Sequence, residues 1–86
     1  PDTMAAFAAL RSDGVVTIVA INKVAGQPMP ISLALGHVAP QGRVTGMRLA
    51  NGALRPLPTA AYAHGVLDVD LPPQSVTLFE VRPDAR

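Results

Sequence analysis

The sequence predicts an all-β protein: a two-sheet antiparallel β-sandwich of about seven strands, with Greek-key-like connections. Short apolar runs rich in β-branched residues recur along the chain. Turn signals built from Gly, Pro, Asn and Asp separate these runs at intervals of roughly 8–12 residues. Helical periodicity is weak. The 86 residues are predicted to form a single domain, residues 1–86, whose margin of stability is small because its core is small.

The N-terminal half is predicted to open with a hairpin. Met4 to Arg11 also suits a helix by propensity. We predict a strand there, because the turn sequence Ser12-Asp13-Gly14 leads directly into the β-branched strand Val15 to Lys23. A loop follows at Val24 to Pro30, and Ile31 to Leu35 then alternates as a strand with one apolar side.

The C-terminal half contains a second predicted hairpin and two closing strands. Asn51-Gly52 is the strongest hairpin signal in the chain, because both residues tolerate positive φ. It joins the predicted strand Arg43 to Ala50 to a short strand at Ala53 to Leu57. Val66 to Leu71 alternates, and Ser75 to Arg82 is predicted as the last strand, after a Pro-Pro corner.

Two strands are apolar on both of their faces. Val15 to Ile21 shows this pattern, and so does much of Val76 to Val81. One face of such a strand packs in the core, so the other face is expected to be buried by another domain or by an overlying loop. Charged residues make up 15% of the chain, against roughly 25% in ordinary soluble domains. We therefore predict a contiguous apolar patch on one outer sheet face, which Ala5, Phe7 or Ala9 extends.

Charge and composition argue against several classes of protein. The net charge is +1, and the seven basic residues are dispersed, whereas nucleic-acid binding calls for a concentrated basic patch. The apolar runs are too short to span a membrane. Without cysteine there is no disulfide or thiolate metal site, and the redox compartment stays open. The chain starts at Pro1 without an initiator Met or a signal peptide, which predicts a fragment or a processed product.

No group of residues has the pattern of a catalytic or metal site. Asp68 and Asp70 share one face of a strand, as a glycosidase pair could, but that face is predicted to be solvated. His37 and His64 are predicted as exposed loop residues, without partners at metal-ligand spacing. Ser75, His64 and Asp68 carry no motif of a catalytic triad. We predict no catalytic, metal-binding or cofactor-binding residue.

Aromatic residues are too few for a self-contained carbohydrate site. Rings that stack on sugars are the usual platform, and this chain has no Trp, two Phe and one Tyr. Phe7 and Phe79 fall in apolar strands and are predicted to lie in the core. Tyr62 stands alone in a predicted loop, Thr59 to His64. Carbohydrate contact is therefore expected to be weak at most.

Two segments resemble a known family of domains. The run from Phe7 to Lys23, FAALRSDGVVTIVAINK, resembles the strand–turn–strand–Asn that opens the C-terminal β-sandwich accessory domain of retaining glycoside hydrolases built on a TIM barrel. These enzymes include arabinofuranosidases, β-xylosidases and endoglucanases. The run from Leu71 to Phe79, LPPQSVTLF, is similar to the last hairpin of those domains.

The resemblance implies a non-catalytic domain that packs against the catalytic TIM barrel of the same polypeptide. The catalytic glutamates of the family lie in the barrel, so the resemblance implies no catalytic residue and no cofactor here. It also implies that the first and last strands lie in one sheet, because the terminal strand of these domains returns beside the opening hairpin. This chain would then be a C-terminal fragment of a glycoside hydrolase.

A different class of function remains open. The chain could be an independent module, either carbohydrate-binding or immunoglobulin-like. Such a module predicts an exposed aromatic or polar site on its loops or on a sheet face, whereas an accessory domain predicts an apolar interface.

Overall fold

The computed structural model of the protein describes residues 4–35 and 40–84. The strands in chain order are β1 Met4–Leu10, β2 Val16–Asn22, β3 Met29–Ala34, β4 Gly42–Ala50, β5 Ala53–Pro56, β6 Ala60–Tyr62, β7 Val66–Leu71 and β8 Ser75–Pro83. Six of them form a sheet of order β1-β2-β8-β4-β5, in which β6 also pairs with β4, and β3 pairs with β7 in a second sheet. Every pairing is antiparallel. The predicted β-sandwich is confirmed, with eight strands in the described residues instead of about seven.

Both predicted hairpins form, and Met4–Leu10 is a strand as predicted. The backbone N–H of Arg11 donates to the carbonyl oxygen of Val15 at 2.8 Å and closes the β1–β2 turn. At the β4–β5 turn, Asn51 has φ 53° and Gly52 has φ 74°. Positive φ at both central residues matches the right-handed twist of the paired strands, which explains why Asn-Gly is favoured there.

The last strand lies in the middle of the large sheet. β8 pairs with β2 on one side and with β4 on the other, so the first and last strands share a sheet, as predicted. The chain crosses to the small sheet for β3, returns for β4, crosses again for β7 and returns for β8. Because β8 pairs with β2, and β2 pairs with β1, the N-terminal and C-terminal strands belong to the same sheet and share one core.

The core lies between the two sheets. On the inner face of the large sheet, Ala20 and Val81 are fully buried. Leu67 and Leu71 of β7 are buried against that face. The small sheet has two strands, so it covers the centre of a six-stranded sheet and leaves the inner side of β1 largely open.

Three predictions need correction. Thr59 to His64 is not a loop throughout, because β6 pairs with the start of β4 and buries Tyr62. The Ala residues of β6 have low strand propensity, so the segment forms a strand only because it pairs with β4. The loop after β2 is shorter than predicted, because β3 begins at Met29. Phe7 is 66% exposed; the register places it opposite Val19 on the outer face, so it is not a core residue.

Candidate functional site

The outer face of the large sheet is apolar across its width. Residues that lie directly opposite each other in antiparallel strands point to the same face, so the register defines rows of side chains. One row runs Phe7, Val19, Leu78, Met47 and Pro56 across five strands. Every member of this row is apolar.

The neighbouring row has the same character. It runs Ala5, Ile21, Val76, Leu49 and Leu54 across the same strands. The two rows lie side by side, because their members are two residues apart along each strand. We call these two rows the outer apolar face.

The outer apolar face is open to solvent in this chain. Leu78 is 40% exposed and Val76 is 38% exposed, although both belong to the central strand β8. Leu54, at the far edge of the sheet, is 64% exposed. Large contiguous apolar surfaces usually mark an interaction site. The predicted apolar patch on an outer face is thus confirmed, and Ala5 and Phe7 extend it. The separate prediction that Phe7 lies in the core is wrong.

Ion pairs border this face at one end. The next row contains Thr17, Glu80 and Thr45. The carboxylate of Glu80 accepts hydrogen bonds from Arg11 at 3.1 Å and from Arg82 at 3.4 Å. Each of these side chains is at least a third exposed, so each pair contributes about 0–1 kcal/mol. An apolar centre with a polar border is the usual composition of an interface.

Asp13 joins the same border through Arg11. Its carboxylate accepts from the backbone N–H of Val15 at 3.2 Å and from Arg11 at 2.6 Å. The hydrogen bond from Val15 lowers the pKa of Asp13 below its ordinary value, and Arg11 lowers it further by a smaller amount. The carboxylate therefore stays ionised to lower pH than in an unfolded chain.

The predicted carboxylate pair lies elsewhere, on the outer side of the small sheet. Asp68 and Asp70 are both exposed, as predicted. The hydroxyl of Ser32 on β3 donates to Asp68. The carbonyl oxygen of Asp70 accepts from Arg48, whose Nη2 lies 3.0 Å away. Arg48 also donates through Nε to Thr77 at 2.9 Å, and in this way it links the two sheets.

Within the part of the chain that the structure describes, Ser75, His64 and Asp68 are not hydrogen-bonded to one another. Ser75 is buried and donates to the carbonyl oxygen of Pro72, while Asp68 is bound to Ser32. His64 is exposed in a turn with φ 58°. His37 lies outside the described residues. Within residues 4–35 and 40–84, no group of three or more His, Cys, Asp or Glu could hold a metal ion. The lack of catalytic residues stays a prediction.

The aromatic residues offer one exposed ring. Phe79 and Tyr62 are buried, with 2% and 4% of their surface exposed, whereas Phe7 is exposed beside Val19 in the outer apolar face.

Among the residues that the structure describes, no helix is long and apolar enough to cross a bilayer.

The outer apolar face contains residues beyond those of the predicted patch, among them Met47, Leu49 and Leu54. Alternation in the strand Arg43 to Ala50 already places Met47 and Leu49 on one side. The pairing of β4 with β8 then shows that this side faces outward. Leu54 follows from its position opposite Leu49 across the Asn-Gly turn.

Comparison with known proteins gives matches among solved structures. No family model matches the sequence, and no curated protein matches it. CelM2, a bifunctional glucanase-xylanase protein from a metagenome library, is 31% identical with a TM-score of 0.86, over 95% of this chain and 16% of that chain. Cel44A, a GH family 44 endoglucanase from Clostridium thermocellum, is 12% identical with a TM-score of 0.83, over 93% of this chain and 17% of that chain.

These matches cover almost all of this chain but only a small part of the matched chains. The segment in common is 16% of one and 17% of the other. The chain is therefore similar in fold to a small part of these glycoside hydrolases, which confirms the resemblance predicted from its sequence.

Proposed function

We propose that this chain, residues 1–86, is the non-catalytic C-terminal accessory domain of a glycoside hydrolase. In this proposal the centre of the outer apolar face, around Val76 and Leu78, packs against the catalytic TIM barrel of the same polypeptide, and the catalytic carboxylates lie in that barrel. The observation that carries the proposal is the outer apolar face itself, with Leu78 and Val76 exposed in the centre of a sheet. The glycoside hydrolases that contain a similar segment support the choice of partner.

Burial of this face would stabilise both domains. Each square ångström of apolar surface removed from water contributes roughly 25 cal/mol, and the two apolar rows cross the central strands of the sheet, β2, β8 and β4. The border of Glu80, Arg11 and Arg82 stays at the rim, where exposed ion pairs add specificity more than affinity. The domain thus acts as a support for the barrel and takes no part in the reaction.

The gene tests the proposal first. We expect the reading frame upstream of Pro1 to encode a segment of roughly 250 residues or more with eight strand–helix repeats, as a TIM barrel requires. Tandem β-sandwiches upstream would instead favour the independent binding module.

The longer polypeptide then permits a functional test. With the 86-residue segment deleted, the barrel should keep its catalytic carboxylates but lose activity faster on heating. The expected readout is a shortened thermal half-life of glycoside hydrolysis. Unchanged thermal inactivation after the deletion would contradict a supporting role.

Binding measurements separate the accessory domain from a carbohydrate-binding module. Calorimetric titration of the 86-residue chain with xylan, xyloglucan or mannan oligomers should give no saturable heat, since a single aromatic ring, Phe7, is exposed. A clear titration would favour the binding module.

A further inference from the structure

Strand β1 is an edge strand that is apolar and exposed on both faces. Its seven residues, MAAFAAL, contain no charge. Phe7 points to the outer face and is 66% exposed, while Leu10 points to the inner face and is 68% exposed. Among the described strands β1 pairs only with β2, so one of its edges carries unpaired backbone groups.

The other edge strands have features that discourage contact with another strand. β5 contains Arg55 and Pro56, β3 contains Pro30, and β7 carries Asp68 and Asp70. β6 has neither a charge nor a proline, but with three residues it is too short to offer a long edge. Charges, prolines and short length are the usual protection of a sheet edge. β1 has none of them, so its edge requires protection from outside.

An apolar groove lies along the inner side of β1. Its volume is about 300 Å³, and the end of β3 in the small sheet forms one of its walls. The lining includes Ala6, Ala8, Leu10, Ile18, Leu33 and Leu35. The groove and the outer apolar face lie on the two sides of the same strand. One partner that reaches over the edge of β1 would therefore contact both.

We propose that the companion domain, which is the catalytic TIM barrel of the same polypeptide, covers the edge of β1 and contacts both faces of the strand. This inference rests on the proposed function and adds where the partner sits. An apolar surface of the companion domain packs on Phe7, and one of its aliphatic or aromatic side chains enters the groove beside Leu10. The far edge of the sheet, at β5, lies outside the contact or at its margin.

Two leucines of nearly equal exposure test the placement in the longer polypeptide. Leu10 on β1 is 68% exposed and Leu54 on β5 is 64% exposed. Leu10→Lys should lower the Tm of the domain by more than ~5 °C, because a lysine would be buried without a partner. Leu54→Lys, at the far edge, should change the Tm by less than ~2 °C.

A measurement without any substitution accompanies this pair. Hydrogen exchange of the unmodified longer polypeptide should show β1 amides protected to the same degree as those of β2. Fast exchange of every second amide of β1 would mean that its edge is bare, and would overturn the inference.

The possible outcomes distinguish a failure of this inference from a failure of the proposed function on which it rests. If Val76→Lys, at the centre of the outer apolar face, lowers the Tm and Leu10→Lys does not, the partner lies away from β1; the inference fails and the proposed function stands. If neither substitution lowers the Tm, the proposed function fails as well. If Leu10→Lys instead dissociates a dimer in sedimentation, the occupant is a second copy and the inference is wrong.

Discussion

Asn22 and Ser75 lie directly opposite each other on β2 and β8, and both donate to the carbonyl oxygen of Pro72. The distance is 3.0 Å from Nδ2 of Asn22 and 2.7 Å from Oγ of Ser75. Nδ2 of Asn22 also lies 3.0 Å from the carbonyl oxygen of Leu71, and its Oδ1 accepts from the N–H of Val24 at 2.9 Å. Both side chains are 1% exposed. The pair fastens the proline corner between the sheets to the end of β2.

Asn22→Ala should therefore destabilise the domain strongly. The change leaves the buried carbonyl oxygen of Leu71 and the partly buried N–H of Val24 without this partner, which costs about 2–3 kcal/mol of the free energy of unfolding. Urea denaturation of the 86-residue chain measures this. Ser75→Ala is the matched control; it removes one of the two donors to Pro72 and should cost about 1 kcal/mol. Equal effects of the two substitutions would show that Asn22 does not hold the corner.

The alternation of apolar residues predicted most of the fold, but not the role of this pair. β-branched runs and the Asn-Gly turn gave the strands and both hairpins, because those signals act locally. Asn22 ends an apolar strand in the sequence, where its buried side chain has no local signal. Its carbonyl partners at Leu71 and Pro72 are about fifty residues away, so only the tertiary structure reveals them.

Gly42 is a position where β4 approaches β8 closely. A Cβ there would lie 2.8 Å from Cα of Pro83 and 2.9 Å from Cε1 of Tyr62, and would also overlap the carbonyl oxygen of Arg82. Because the nearest atoms belong to the backbone, Gly42→Ala should cost about 3 kcal/mol of the free energy of unfolding. Gly26→Ala is the control: its Cβ meets open space at φ 86°, so it should cost about 1 kcal/mol. Denaturation curves of the two variants compare them, and a Gly42 variant as stable as the control would contradict the close approach.

Asp13 predicts a specific pH dependence. Its pKa is lowered in the folded chain from the ordinary value of 3.8, so its contribution to stability is present above pH 3.8 and is lost as the pH falls through the folded pKa. Asp13→Asn should flatten the stability profile in that acid range, because the amide keeps an acceptor for Val15 but has no charge for Arg11. Thermal unfolding between neutral and acid pH checks this. A variant with an unchanged slope would show that Asp13 is not linked to folding.

The residues of the outer apolar face can be identified only when the strand register is known in addition to the sequence. The doubly apolar patterns of Val15 to Ile21 and Val76 to Val81 predicted an uncovered face correctly. Phe7 was misassigned because β1 is apolar in both phases of its alternation, so the sequence does not distinguish its two faces. Its pairing with Val19 decides that Phe7 points outward. β6 was missed because its pairing partner, β4, is distant in the sequence.

Two valines of equal exposure test the central claim, that the outer apolar face is an interdomain contact. Val76 lies in that face and Val66 lies on the small sheet, and each is 38% exposed in this chain. Lysine at either position should change the stability of the 86-residue chain little and equally, since both sites face solvent there. The decisive measurement is thermal unfolding of both variants in the longer polypeptide. Val76→Lys should lower the free energy of unfolding of the domain by about 3 kcal/mol or more, because an unpaired charge is buried, while Val66→Lys should have almost no effect. Equal stability of the two variants in the longer polypeptide would contradict the claim.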